Sequence, residues 1–187
     1  MANNHFMSQE SMLKLKGLTL APYIQLSIAL IDKPRKCLGN IFRHQHATFC
    51  ILIDYGYTDH ILLKASIIHD LIEDIPDFDR NRIIELEDGQ AVLDLVLEVS
   101  KKQGERKDTF LRRIKETGSY NAKVLKCADR ISNLYDLGFV SDKKFLQKYL
   151  DESEKHILPM AEEVNQFMVI EIKDLIKTRA LILERME

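Results

Sequence analysis

The stretch IIHDLIEDI, residues 67–75, sets His69, Asp70, Glu73 and Asp74 among aliphatic side chains. On a helical wheel of about 100° per residue, Glu73 falls about 40° from His69, Asp70 about 100° and Asp74 about 140°. Ile67, Ile68, Leu71, Ile72 and Ile75 take the opposite arc. Read alone, these nine residues describe a plain amphipathic surface helix. The preceding turns change the reading, because Leu62 and Leu63 fall on the same side as the acids. A helix apolar on both faces is covered on both faces, and Asp70, Glu73 and Asp74 then sit in a partly closed space. Three carboxylates there repel one another and lose hydration unless protons or cations compensate. With a histidine beside them, a metal ion is the economical solution.

Outward from this stretch, apolar residues recur every three or four positions, and no segment alternates cleanly enough for a strand. The chain holds only 7 glycines and 4 prolines in 187 residues. An all-α helical bundle in a single domain, residues 1–187, is therefore expected. The spacing predicts helices over about 22–31, 43–55 with Gly56 as a left-handed cap, and 59–75 between Thr58 and Pro76. Further helices are predicted over 79–86, 90–100, 107–115, 121–137, 141–157 and 159–185. The segment DKPRKCLGN, residues 32–40, reads as a basic loop.

Composition narrows the function. Hydrophobic residues make up 45%, charged residues 30%, and the net charge is −2. This balance carries no electrostatic footprint for nucleic acid or an anionic membrane. The longest apolar run, residues 18–31, is too short and too interrupted to span a bilayer. The first residues have neither a basic nor an apolar leader region, so no signal peptide is expected. Three widely spaced cysteines, Cys37, Cys50 and Cys127, suit a reducing cytoplasm.

A metal at residues 69–70 needs ligands from elsewhere. RHQHATFC, residues 43–50, offers His44 and His46. His46 shares a helical stripe with Cys50 and Ile53 and is expected to point inward, although a lone inward histidine is more often a satisfied core residue. LKCADRISNL, residues 125–134, offers Asp129 and Asn133 one turn apart, in line with Leu125. Three segments thus aim ligand-type groups at one interior.

This arrangement resembles the HD-domain metal-dependent phosphohydrolases, in which an isolated His, a His-Asp pair and a distant Asp form the signature. It is closest to the RelA/SpoT-type (p)ppGpp hydrolases, including the small stand-alone versions. HDLIEDI pairs HD with ED, KCADRISNL matches the later motif, an Arg-Lys loop precedes the first histidine, and EDGQAVLDLVLEVS resembles the segment after ED. The likeness covers about residues 22–140, with 141–187 completing the bundle. Two positions depart from the family when counted from His46: Ala47 stands for a common Pro, and Arg43 for a common Tyr.

The resemblance implies one Mn²⁺ held by His46, His69, Asp70 and Asp129. Glu73 and Asp74 would orient and deprotonate the attacking water. Arg35, Lys36 and Asn133 would bind substrate. The implied reaction is hydrolysis of the 3′-pyrophosphate of (p)ppGpp to GDP or GTP and pyrophosphate, with no synthesis. The alternatives are another phosphorylated nucleotide (an NADPH-type 2′-phosphate or a nucleoside monophosphate), a non-catalytic nucleotide sensor, or a helical interaction protein. The basic stretch 100–115 reads as a solvated helix face or a second phosphate contact.

Overall fold

The computed structural model describes residues 7–37 and 39–186, and among them the regular structure is entirely helical. The elements are α1 (Gln9–Lys16), α2 (Ala21–Ser27), α3 (Ile41–Asp54), α4 (His60–Ile68), α5 (Leu71–Asp74), α6 (Asn81–Ile84), α7 (Gly89–Val99), α8 (Lys107–Thr117), α9 (Tyr120–Asp136), α10 (Lys143–Glu152), α11 (Leu158–Val164) and α12 (Gln166–Glu184). No helix among the described residues is long and apolar enough to cross a membrane. The helical spans from α2 to α9 agree with the sequence expectation to within a few residues at most ends. Three differences matter.

The first is α1, whose eight residues bury no side chain fully and therefore give no strong apolar stripe to read. Ser8 caps it through its side chain. The second is the helix expected over 59–75, which is broken. Asp59, not Thr58, is its N-cap, accepting from the Leu62 amide at 2.8 Å. His69 ends α4, and Asp70 adopts φ −95°, ψ −3° before the single turn of α5. That sparsely used backbone region redirects the chain. Pro76 then keeps Ile75 out of the helical region, at φ −128°, ψ 81°. The third lies at the C-terminal end. The expected helix over 159–185 is interrupted by the extended Asn165, whose Oδ1 accepts from the amides of Phe167 and Met168 and starts α12.

Helix α9 is the axis of the molecule. It is buried from Val124 through Ser132, and α3, α7, α11 and α12 pack around it. Helix α4 is buried from Leu62 to Ile68 and lies against α2, α3 and α7. The apolar core runs through these helices from Tyr23 to Ile176. Among the charged side chains buried within it is Lys64, whose ammonium bonds Asp88 at 2.8 Å and Glu87 at 3.1 Å. The bend between α6 and α7 requires glycine at 89, since a Cβ there would lie 2.0 Å from the Ile83 carbonyl oxygen.

Candidate metal centre and its surroundings

Where α3, α4 and α9 meet, the interior turns polar. His44, His69 and Asp70 present ligand atoms that all lie within 4.8 Å of one another. The break after α4 is what brings His69 and Asp70 to one place. As the residue that caps α4, His69 sends Nδ1 back to the Ser66 carbonyl oxygen at 2.8 Å, and this turns Nε2 toward the cluster. Helix α9 adds Asp129, whose Oδ1 lies 3.0 Å from His44 Nε2 and 3.8 Å from His69 Nε2. Asp70 Oδ2 stands 3.7 Å from His44 Nε2 and 3.5 Å from His69 Nε2.

The imidazole facing this cluster belongs to His44, and the expected ligand His46 is turned away. Its Nδ1 bonds the Phe42 carbonyl oxygen at 2.8 Å and its ring lies against Phe42. The buried stripe of α3 is His44, Thr48 and Ile51, whereas Cys50 on the His46 stripe is exposed. Sequence reasoning preferred the apolar-looking stripe, and a stripe carrying Thr gave no such signal. With His44 as the first histidine, the family's Pro and Tyr positions fall on Gln45 and Ile41 rather than Ala47 and Arg43.

His69 Nε2 is buried without a hydrogen-bond partner. An orphaned imidazole nitrogen is costly in a closed interior, and a cation between it and the carboxylates removes the cost. Two imidazoles with two carboxylates are a donor set for a borderline divalent ion, so the residues fit the metal the resemblance implies. Electrostatics point the same way. Burial works against protonation of His69, but Asp70 and Asp129 outweigh it and hold the ring up at about 9. The Asp129 carboxyl, despite burial, is held well below its ordinary value by Lys126, His44 and His69. The site draws positive charge.

Lys126 is a residue that sequence reasoning missed. It is buried and bonds Asp129 Oδ2 at 2.7 Å, one turn before it on α9. A lysine three residues before an acid reads as a surface pair, and only the burial of α9 on all sides makes it an interior one.

Asn133 and Arg35 continue the network. Asn133 Nδ2 donates to the Asp129 carbonyl oxygen at 2.9 Å and to Oδ1 at 2.5 Å, while its Oδ1 accepts from Arg35 at 2.7 Å. Arg35 also pairs with Asp136, and Arg43 reaches the same carboxylate at 3.0 Å. Lys36 is exposed, its ammonium 5.5 Å from the centre of the Phe145 ring. Glu73 and Asp74 stand on α5 at the rim. Glu73 accepts the Lys101 amide at 3.0 Å. Partial desolvation, with Asp70 and Glu73 nearby, pushes the Asp74 carboxyl up to about 6. Both line a cleft of about 700 Å³ that also takes in Arg80, Lys101 and Lys102.

No family model matches the sequence, and no curated protein matches it. A structural likeness is clear. A metazoan ortholog of SpoT, a protein that hydrolyzes ppGpp and plays a role in starvation responses, has a solved structure that superposes with a TM-score of 0.70. The match covers 94% of this chain and 98% of that one, at 22% identity. This chain therefore shares the all-α fold of that protein.

Proposed function

We propose that the protein is a metal-dependent phosphohydrolase that removes the 3′-pyrophosphate of (p)ppGpp. The observation that carries the metal part is the orphaned His69 nitrogen facing His44, Asp70 and Asp129. The likeness to a ppGpp-hydrolyzing protein supports the choice of substrate.

His44, His69, Asp70 and Asp129 would hold the ion, with Mn²⁺ the proposed metal. Bound there, it supplies Lewis acidity toward water and phosphate oxygen. The remaining work belongs to the chain. Ser132 lies 2.9 Å from His44 Nδ1 and Ser66 receives His69 Nδ1, so both rings are fixed with Nε2 inward. Asp74, poised near neutrality, takes the proton of the attacking water. Glu73 orients the same water and, through the Lys101 amide, holds the 100–104 loop beside the cleft. Arg35 fixes the Asn133 amide, which in turn fixes Asp129. Lys36, in the 32–40 loop, is exposed for the substrate's phosphates.

The deciding experiment incubates the metal-loaded protein with ppGpp, NADPH and nucleoside monophosphates and separates the products by chromatography. Pyrophosphate release from ppGpp is expected, with no synthesis from GDP and ATP. Intact ppGpp beside a cleaved competitor keeps the hydrolase and removes the alarmone substrate. No turnover of any nucleotide, with metal bound, turns the reading to a sensor.

A further inference from the structure

A second polar cavity, of about 340 Å³, opens between the start of α8 and the end of α10. Its wall carries four cations, Arg106, Lys107, Lys148 and Lys155. Its carboxylates are occupied. Asp108 bonds Arg112 at 2.6 Å, Lys155 at 2.5 Å and His156 Nε2 at 2.9 Å. Glu152 faces the buried guanidinium of Arg130 at 3.6 Å, and Asp151 accepts from Gln147 at 2.7 Å. Among the described residues neither Arg106 nor Lys107 makes an ion pair, and the Lys148 contact to Glu152 is a loose 3.9 Å with the ammonium largely exposed. The cavity therefore has positive charge to spare.

His156 points to a ligand independently. Its side chain is 1% exposed and its Nδ1 has no hydrogen-bond partner. It sits in a π-helical turn, Ser153–Ile157, which joins α10 to α11. Such turns cost stability against regular helix and are frequent where a chain builds a site.

We propose that this cavity is a second binding site, taking a phosphoryl group on Arg106, Lys107, Lys148 and His156, and joined to the metal centre through Arg130. Guanidinium and ammonium groups match phosphate oxygens in charge and geometry. Lys107 supports the assignment: burial and the neighbouring Lys126 and Arg130 bring its ammonium down to about 8, and an anion relieves that repulsion. The link to the metal centre is covalent and short. Arg130 follows Asp129 on α9, donates to the Tyr149 carbonyl oxygen at 3.2 Å and Ser153 Oγ at 3.3 Å, and stacks on Tyr149. A shift of the π-helical turn moves Arg130 and with it the backbone of Asp129.

The phosphoryl group has two possible sources, a free phosphorylated metabolite or the far phosphates of a nucleotide held at the metal centre. The test titrates inorganic phosphate into the protein and follows the ring ¹⁵N resonances of His156, in the wild type and in Arg106→Gln/Lys148→Gln. A saturable shift is expected, weakened roughly tenfold or more in the variant with melting temperature and metal content unchanged. Absence of a saturable shift, or equal affinity in the variant, overturns the site. Turnover then separates the sources. A raised KM for ppGpp with kcat held means that the phosphate arrives on the substrate. An unchanged KM, with the rate response to added phosphate lost, means a separate anion. If ppGpp is not a substrate at all, the phosphate titration still decides the site by itself.

Discussion

The closed ring around Asp129 and the open ledge of Glu73 and Asp74 lie within a few residues of each other in space and are built on opposite principles. In the ring His44, His69 and Asp129 are each placed by another group: Ser132 sets His44, Ser66 sets His69, Lys126 and Asn133 set Asp129, and Arg35 sets Asn133. Burial makes such placement rigid, since an unpaired group there is expensive. On the ledge both carboxylates are exposed, and only Glu73 is tied, to one backbone amide. A ligand set must have fixed geometry before the ion arrives, whereas groups that hand a proton to and from water must meet water. The ring should therefore fail by losing metal, and the ledge by losing turnover alone.

The largest effect is expected at Asp129. Asp129→Asn keeps the shape, but removes the charge that offsets Lys126 and faces both imidazoles. Metal affinity should fall by more than about 100-fold, beyond the 10–100-fold typical of groups that only support a ligand. The check is metal content by mass spectrometry together with a melting curve. Full metal occupancy in the folded variant would show that the ring closes around something other than an ion. His44→Ala and His46→Ala sharpen the same point within one helix. The first should lose the metal, and the second should keep it, because His46 is spent on Phe42.

Next come the ledge residues. Glu73→Gln and Asp74→Asn should retain metal and fold while turnover drops about 10²–10⁴-fold, the range for a positioned acid or base. Metal loss in either variant would erase the distinction between ledge and ring. Asn133→Ala is expected between the two classes, with metal affinity down about 10–100-fold, since it supports a ligand without being one.

Much of this contrast was legible in the sequence, and its limits are instructive. The positions of α3, α7, α8 and α9 follow from apolar spacing, and Asp70, Asp129 and Asn133 stand together in the structure as the motifs placed them. Two things stayed hidden. A helical wheel assumes a straight helix, and the turn at Asp70 invalidates it for the residues that matter most. The choice between His44 and His46 depended on which stripe of α3 is buried, and two packed neighbours, α4 and α9, decide that rather than the local pattern. Ion pairs such as Lys126–Asp129 are invisible for the same reason.

The smallest expected effect concerns Lys107, which feels both regions. Asp129 and Glu73 pull its ammonium toward protonation, while burial, Lys126 and Arg130 push harder the other way and leave it at about 8. Its value in the unfolded chain is the ordinary 10.5. Between these limits the unfolded state binds more protons than the folded one, so wild-type stability should rise as pH climbs from about 8 toward 10.5. Lys107→Met removes that proton and should flatten this limb. In phosphate-free buffer at neutral pH the variant should be more stable than the wild type by roughly 1 kcal/mol or less, an ordinary size for a partly exposed position. The gain should vanish at alkaline pH. Melting curves of both proteins from pH 6 to about 10.5 make the comparison. A gap independent of pH would mean that Lys107 is fully solvated, and that the positive charge around Asp129 ends at Lys126 instead of reaching the surface.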